Sequence, residues 1–266
     1  MINSLRKTLA ASVLLLISSA QALGEGALVI AGGSSLPSSI RSEFIDLAGG
    51  KEAARLVLIP TASIYADDAD YVSGRIKRWR DLGAASVEVI HTRDRKKAED
   101  AEFVTPLRQA TGVWISGGNQ SRLTATYGGT LVEAEMRRLL KRGGVVGGTS
   151  AGAAVMSNPM ITGGNPVAKT GSGFGFLPSV IVDQHFVARN RMPRLRSVLS
   201  KLEDYAGLGI DESTAAVIRD GAITVRGEST VTAVWPASSS QPRRELVLAA
   251  GEVLRLSELR EPAANP

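Results

Sequence analysis

Short apolar runs alternate along this chain with longer stretches in which apolar positions recur at helical spacing. The runs Ala27–Gly32, Arg55–Pro60, Ser86–His91 and Gly112–Ser116 predict strands. Between and after them, amphipathic patterns predict helices near 37–48, 67–82, 96–110 and 129–141. Within 67–82, Tyr71, Ile76, Trp79 and Leu82 supply the apolar positions, while Arg75, Lys77, Arg78 and Arg80 read as a solvated face and Trp79 as core. Strand and helix in strict alternation are the signature of a parallel sheet in an α/β fold. Each run ends in small polar residues: Gly32-Gly33-Ser34, Pro60-Thr61-Ala62-Ser63, Gly117-Gly118-Asn119-Gln120 and Gly147-Gly148-Thr149-Ser150. Open α/β sheets bind ligands at the carboxyl ends of their strands, so these loops are candidates to face one pocket.

The fourth of these loops carries the sharpest signal. Val145-Val146 runs through Gly147-Gly148-Thr149 into Ser150, then Ala151-Gly152-Ala153-Ala154 opens a helix. Gly148, Ser150 and Gly152 form a G-x-S-x-G nucleophile elbow, a turn so tight that flanking side chains must be absent for the serine hydroxyl to stand clear. The amide of Ala151 follows the serine and is a natural oxyanion donor, and a glycine amide of Gly117-Gly118 is the candidate second; a plain strand-to-helix turn is the alternative there.

Further on, Val180–Phe186 predicts a strand with a polar end, followed by a helix near 191–204. Ala215–Ile218, Ile223–Val225, Thr230–Val234 and Leu246–Ala249 predict an antiparallel edge, and Pro262–Pro266 a disordered tail. At the other end, Arg6 and Lys7 precede the apolar run Leu9–Ile17 and the small-x-small triplet Ala20-Gln21-Ala22, the form of a secretory signal peptide cut after residue 22. The run is too short for a membrane anchor, which needs about 20 apolar residues. The expected mature chain, 23–266, reads as one domain, secreted or periplasmic, with no membrane association after cleavage.

Composition narrows the chemistry. With 44% hydrophobic and 21% charged residues the chain can bury a sizeable core. Cleavage removes two basic residues and no acid, so the formal charge of +5 falls to +3. No dense basic stripe interleaved with aromatics is present, which argues against nucleic acid as a partner. The absence of cysteine excludes disulfides, a thiol nucleophile and thiolate metal ligation. His91 and His185 are the only histidines, so a histidine base for Ser150 is one of them. His185 is the better candidate, since its strand follows the elbow helix. Arg189, Arg191 and Arg194 surround a predicted helix N-terminus, where cations oppose the dipole; carboxylate binding and surface salt bridging are both open readings.

Four motifs in one order, Gly117–Gln120, Gly148–Ala153, Asp183–Phe186 with the arginines, and Gly209–Ala215, together resemble the cyanophycinase family over most of the mature chain. The resemblance implies a three-layer α/β sandwich with a mostly parallel central sheet, class I glutamine-amidotransferase-like, with antiparallel C-terminal strands. It implies a serine peptidase that cuts cyanophycin, an arginyl-poly-aspartate, to β-Asp-Arg dipeptides, needing no metal or cofactor. Ser150 would be the nucleophile and His185 the base, with Ala151 and Gly118 at the oxyanion. Gln120, Asp183, Gln184, Arg189, Arg191 and Arg194 would line the pocket of a peptide or polymer substrate, and a homodimer is expected.

One departure from the family pattern matters. The family's third triad member is an acid between the serine and the histidine, and here the only acid between them is Asp183, two residues before His185. Asn165, in Gly163-Gly164-Asn165-Pro166, falls in the expected region and is a candidate to orient His185, as asparagine does in Cys-His-Asn enzymes. Asp211 or Glu212 is a second answer, although both read as structural, and an incomplete triad is the third. An incomplete triad would fit a weak or inactive homologue that binds acidic or arginyl peptides. A peptidase for other aspartyl or isoaspartyl peptides also stays open.

Overall fold

A strand buried on both faces sends alternate side chains into two different cores, and four of the first five strands of this chain do so, the third being an edge strand with Glu88 exposed. A computed structural model describes residues 26–237 and 242–260; the expected signal peptide and C-terminal tail lie outside these. In β1 (Ala27–Ala31), Leu28 and Ile30 join one apolar cluster while Ala27, Val29 and Ala31 join another. The elements that follow are α1 (Ser38–Leu47), β2 (Arg55–Ile59), α2 (Ala69–Asp81), β3 (Ser86–Val89), α3 (Thr105–Gln109), β4 (Gly112–Ile115), α4 (Gln120–Tyr127), α5 (Leu131–Lys141) and β5 (Val145–Thr149). Ile40 and Phe44 of α1 and Trp79 of α2 cover one face; Leu107, Leu123, Tyr127, Met136 and Leu139 from α3, α4 and α5 cover the other. These are the three layers of an α/β sandwich.

The second half adds α6 (Ala151–Ala154), β6 (Met160–Gly163), β7 (Lys169–Gly171), β8 (Val180–Gln184), α7 (Met192–Leu199), β9 (Ala206–Ile210), β10 (Thr214–Arg219), β11 (Ala222–Gly227), β12 (Val231–Trp235), β13 (Arg244–Leu248), β14 (Val253–Arg255) and α8 (Leu256–Arg260). The central sheet runs β14-β11-β10-β1-β5-β4-β2-β3, with β1, β5, β4, β2 and β3 parallel and β10, β11 and β14 antiparallel. A second sheet, β13-β12-β9-β8, pairs β8 and β9 in parallel and the rest antiparallel. Val180, Val182, Leu208 and Ile210 from it enter the same core cluster as Leu28 and Ile30. Its other face packs Ile181 and Val234 on Leu195, Val198 and Leu199 of α7.

Three expectations are corrected here. The C-terminal strands do not form one edge: β10 and β11 extend the central sheet, whereas β12 and β13 belong to the second. The helix expected over 96–110 is a 3-10 turn at Lys97–Glu99 and a separate α3. Asp100 divides them, because its carboxylate accepts from the amide of Glu102 at 2.8 Å and leaves the helical conformation to do so. The helix expected over 191–204 ends at Leu199.

Two registers bring the site together. Ala31 of β1 pairs with Thr149 of β5, which sets the Gly32-Gly33 turn beside Ser150. Gln184 of β8 pairs with Ile210 of β9, which sets His185 beside Asp211-Glu212.

Candidate active site

Ser150 follows β5 with φ 52° and ψ −109°, a conformation that L-residues avoid and that elbow nucleophiles adopt. A single turn, α6, follows, and Ala153 and Ala154 donate their amides back to the Ser150 carbonyl. Ser150 Oγ lies 2.9 Å from His185 Nε2. His185 Nδ1 lies 2.5 Å from Glu212 Oε1. The three side chains therefore form a continuous Ser-His-Glu relay in which the imidazole touches hydroxyl and carboxylate through opposite nitrogens, the geometry of a serine-hydrolase triad.

The acid is the correction to the sequence reading. Asn165 sits exposed in the turn between β6 and β7 and makes no contact with His185 among the described residues. The carboxylate comes instead from Glu212, beyond the histidine in the chain, because β9 lies alongside β8. Asp211 next to it is structural: its carboxylate accepts from the amides of Val187 and Ala188 and from Ser229 Oγ. Burial raises its pKa, yet those donors outweigh burial and hold it below the ordinary carboxylate value.

The end of β1 ties the three segments to one frame. Ser150 N donates to Ala31 O at 3.0 Å, His185 N to Gly32 O at 2.8 Å, and Ser213 N to Gly33 O at 3.0 Å. Gly33 has φ 120°, and a Cβ there would come within 2.3 Å of the His185 ring, so the backbone itself forms the surface against which the imidazole packs. Three backbone bonds from three successive residues thus align nucleophile, base and acid.

The imidazole is 7% exposed. Burial lowers its pKa most; the Glu212 carboxylate opposes this, and the Arg189 charge reinforces it, leaving His185 below the ordinary histidine value. It is therefore neutral at pH 7, the form that accepts a proton from Ser150.

Gly117 stands closest to the nucleophile on the far side: a Cβ there would lie 3.3 Å from Ser150 Cβ. Gly118, at φ 141°, packs against the Ala62 carbonyl with no room for a side chain. Neither the Ala151 amide nor the Gly118 amide has a backbone partner among the described residues.

The expected pocket residues separate into distinct groups. Arg189 is exposed; its amide donates to His185 O at 3.1 Å, and its side chain makes no hydrogen bond among the described residues. Arg191 donates to the Gln184 carbonyl and to Gln184 Oε1. Gln120 is buried, with Nε2 donating to Ile161 O at 2.8 Å. Asp183 and Arg194 are corrected outright: they do not face an open pocket. The Asp183 side chain is 0% exposed and Arg194 grips both its oxygens in a buried ion pair. His91 bonds Thr61 and Asp67, apart from the triad.

Helix α2 corrects a further expectation. The sequence pattern predicts a solvated face for its arginines, but Arg75 and Arg78, three positions apart, join Arg41 of α1 along a cavity of about 290 Å³ that reaches Ser150 and His185. The rest of its lining includes Ser34, Ser35, Leu36, Gly117 and the buried Trp79 and Trp114.

Comparison with known proteins gives a consistent picture. The model of peptidase family S51 matches residues 15–226. The chain is 37% identical over 221 residues to a cyanophycinase of Nostoc sp., an overlap of 79% of this chain and 73% of that protein. It is 38% identical over 231 residues to a cyanophycinase of Geminocystis herdmanii, 83% of each. The crystal structure of a peptidase from an acI-B1 Actinobacterium superposes with a TM-score of 0.67 at 25% identity, covering 86% of this chain and 96% of that one.

Proposed function

The chain belongs to peptidase family S51 and is a serine-type peptidase, and on that premise we propose that it hydrolyses cyanophycin to β-Asp-Arg dipeptides through an acyl-enzyme on Ser150. The substrate is supported by the similarity to proteins that carry the name cyanophycinase. The mechanism is supported by one observation above all, the position of His185 between Ser150 Oγ and Glu212 Oε1.

In the first step Ser150 Oγ attacks the backbone carbonyl of an aspartyl residue while His185 Nε2 takes the hydroxyl proton. Glu212 holds the imidazole in the tautomer with a free Nε2 and stabilises the imidazolium that forms. The amides of Ala151 and Gly118 receive the negative charge on the carbonyl oxygen. His185 then returns the proton to the leaving amine, and water, activated by the same imidazole, releases the acyl group. A binder without turnover had its motive in a missing acid; Glu212 removes that motive. We further propose that residues 1–22 direct export and that the mature enzyme acts outside the cytoplasm as a homodimer.

One experiment tests the proposed activity and its nucleophile. Exported protein, beginning at Leu23, is incubated with cyanophycin and the products are separated by chromatography and mass. Dipeptides should appear, and Ser150→Ala should lower kcat by about 10⁶, the cost of removing a triad serine in subtilisin. Dipeptide release that survives Ser150→Ala would overturn it.

A further inference from the structure

The cavity beside Ser150 carries three cations and no carboxylate. Arg41, Arg75 and Arg78 all line it, and no acidic side chain does. Among the described residues none of the three is engaged in a salt bridge. Arg75 is fixed over the Tyr71 ring, 4.1 Å from its centroid, and its Nε is buried with no hydrogen-bond partner. A buried guanidinium donor left unpaired is costly, and three like charges on one wall add mutual repulsion. Burial, then Arg78 and Arg75, lower the pKa of Arg41, as such crowding requires. Below the arginines the floor is rigid: Phe44, Trp79 and Trp114 pack with ring centroids 5.1 to 5.2 Å apart.

We propose that Arg41, Arg75 and Arg78 form a carboxylate subsite for the substrate residue adjoining the scissile bond, selecting an acidic group there and rejecting a cationic one. The assignment rests on the peptidase reading of Ser150, because the same cavity is lined by Ser150 and His185 and an occupant necessarily lies against the nucleophile. Guanidinium forks match carboxylates in paired geometry, and an anion here relieves the repulsion among the three cations. At about 290 Å³ the space suits one residue of a peptide rather than a whole ligand. A substrate guanidinium would meet three like charges and is driven to another part of the site.

Two short peptides test this, one with aspartate and one with asparagine adjoining the scissile aspartyl bond. The wild type should prefer the aspartate peptide in kcat/KM by at least about tenfold, the order of one charge-assisted hydrogen bond. The double variant Arg41→Gln/Arg78→Gln should bring that preference close to one. Arg78→Glu, a change at an exposed position that the fold tolerates, should turn it below one. A preference retained in these variants overturns the subsite and leaves the peptidase reading intact. If the wild type cleaves neither peptide, the peptidase reading still stands or falls on cyanophycin itself, and calorimetry of tetra-aspartate on the Ser150→Ala protein decides the subsite alone: binding weakened at least about tenfold by the two arginine changes supports it, and no difference, or no binding, overturns it.

Discussion

Two groups of arginines flank the triad, and they are built in opposite ways. On the side of the second sheet, Arg194 closes on Asp183 and Arg191 on Gln184, within a core where the acid is fully buried. On the side of α1 and α2, Arg41, Arg75 and Arg78 face a cavity with no acid to meet them. The first group is neutralised by the fold and holds β8 to α7, so that His185 leaves its strand in a fixed direction. The second is left uncompensated, and its repulsion is tolerated because the cations are kept for something that arrives. Arginine count near an active site thus says little; what matters is whether each guanidinium already has its carboxylate. Burial, then the Arg194 charge, push Arg191 down to about 10, so even there the guanidinium stays protonated at neutral pH.

The largest expected effect separates the two groups by stability. Asp183→Asn leaves the buried Arg194 charge without its partner and should cost about 3–5 kcal/mol in urea unfolding, the penalty for breaking a buried pair. A loss below about 1 kcal/mol would mean that the pair is not structural. Arg41→Gln/Arg78→Gln should change unfolding by no more than about 0.5 kcal/mol, since nothing folded depends on those charges, while it abolishes the acidic preference described above.

The smallest effect concerns the exposed Arg189, which belongs to neither group. Its charge helps to lower the pKa of His185, after burial and against Glu212. The acid limb of kcat/KM should therefore have its midpoint below the ordinary histidine value of about 6.5, and Arg189→Gln should move that midpoint up. An unmoved or lower midpoint would show that Arg189 does not act on the imidazole. Stability follows the same sign: below the unfolded pKa the unfolded chain takes up a proton that folded His185 refuses, so this contribution is present above about pH 6.5 and is lost as the pH falls.

Much of the sheet was legible because parallel strands buried on both faces read as apolar runs, and β1 to β4 fall within one or two residues of their expected bounds. The elbow was legible for a different reason: only glycine fits at positions 148 and 152, where a Cβ would meet backbone at 2.4 and 2.3 Å. What the sequence hid was pairing at a distance. β9, Ala206-Gly207-Leu208-Gly209-Ile210, is diluted by glycines that exist for packing, since a Cβ at Gly209 would meet the Phe186 ring at 2.5 Å and one at Gly207 would meet Leu195 and Leu199 at 2.9 Å. With β9 unread, nothing aligned Glu212 with His185, and Asn165 took its place by chain order alone. The acidic pair Asp211-Glu212 within the Gly209–Ala215 motif was the available signal. Arg75 and Arg78 were lost among Lys77 and Arg80 in a helix that looked uniformly solvated, although their spacing of three sets them on one face.

Glu212 as the acid of the triad is what makes His185 a competent base. Steady-state kinetics of Glu212→Gln on cyanophycin tests this directly, because glutamine keeps the size of the side chain and the contact with Nδ1 while reversing the tautomer it favours. With Glu212 in that role kcat should fall by about 10⁴, as the equivalent change causes in chymotrypsin-type proteases, with KM and the unfolding midpoint little changed. A kcat within tenfold of wild type would contradict it.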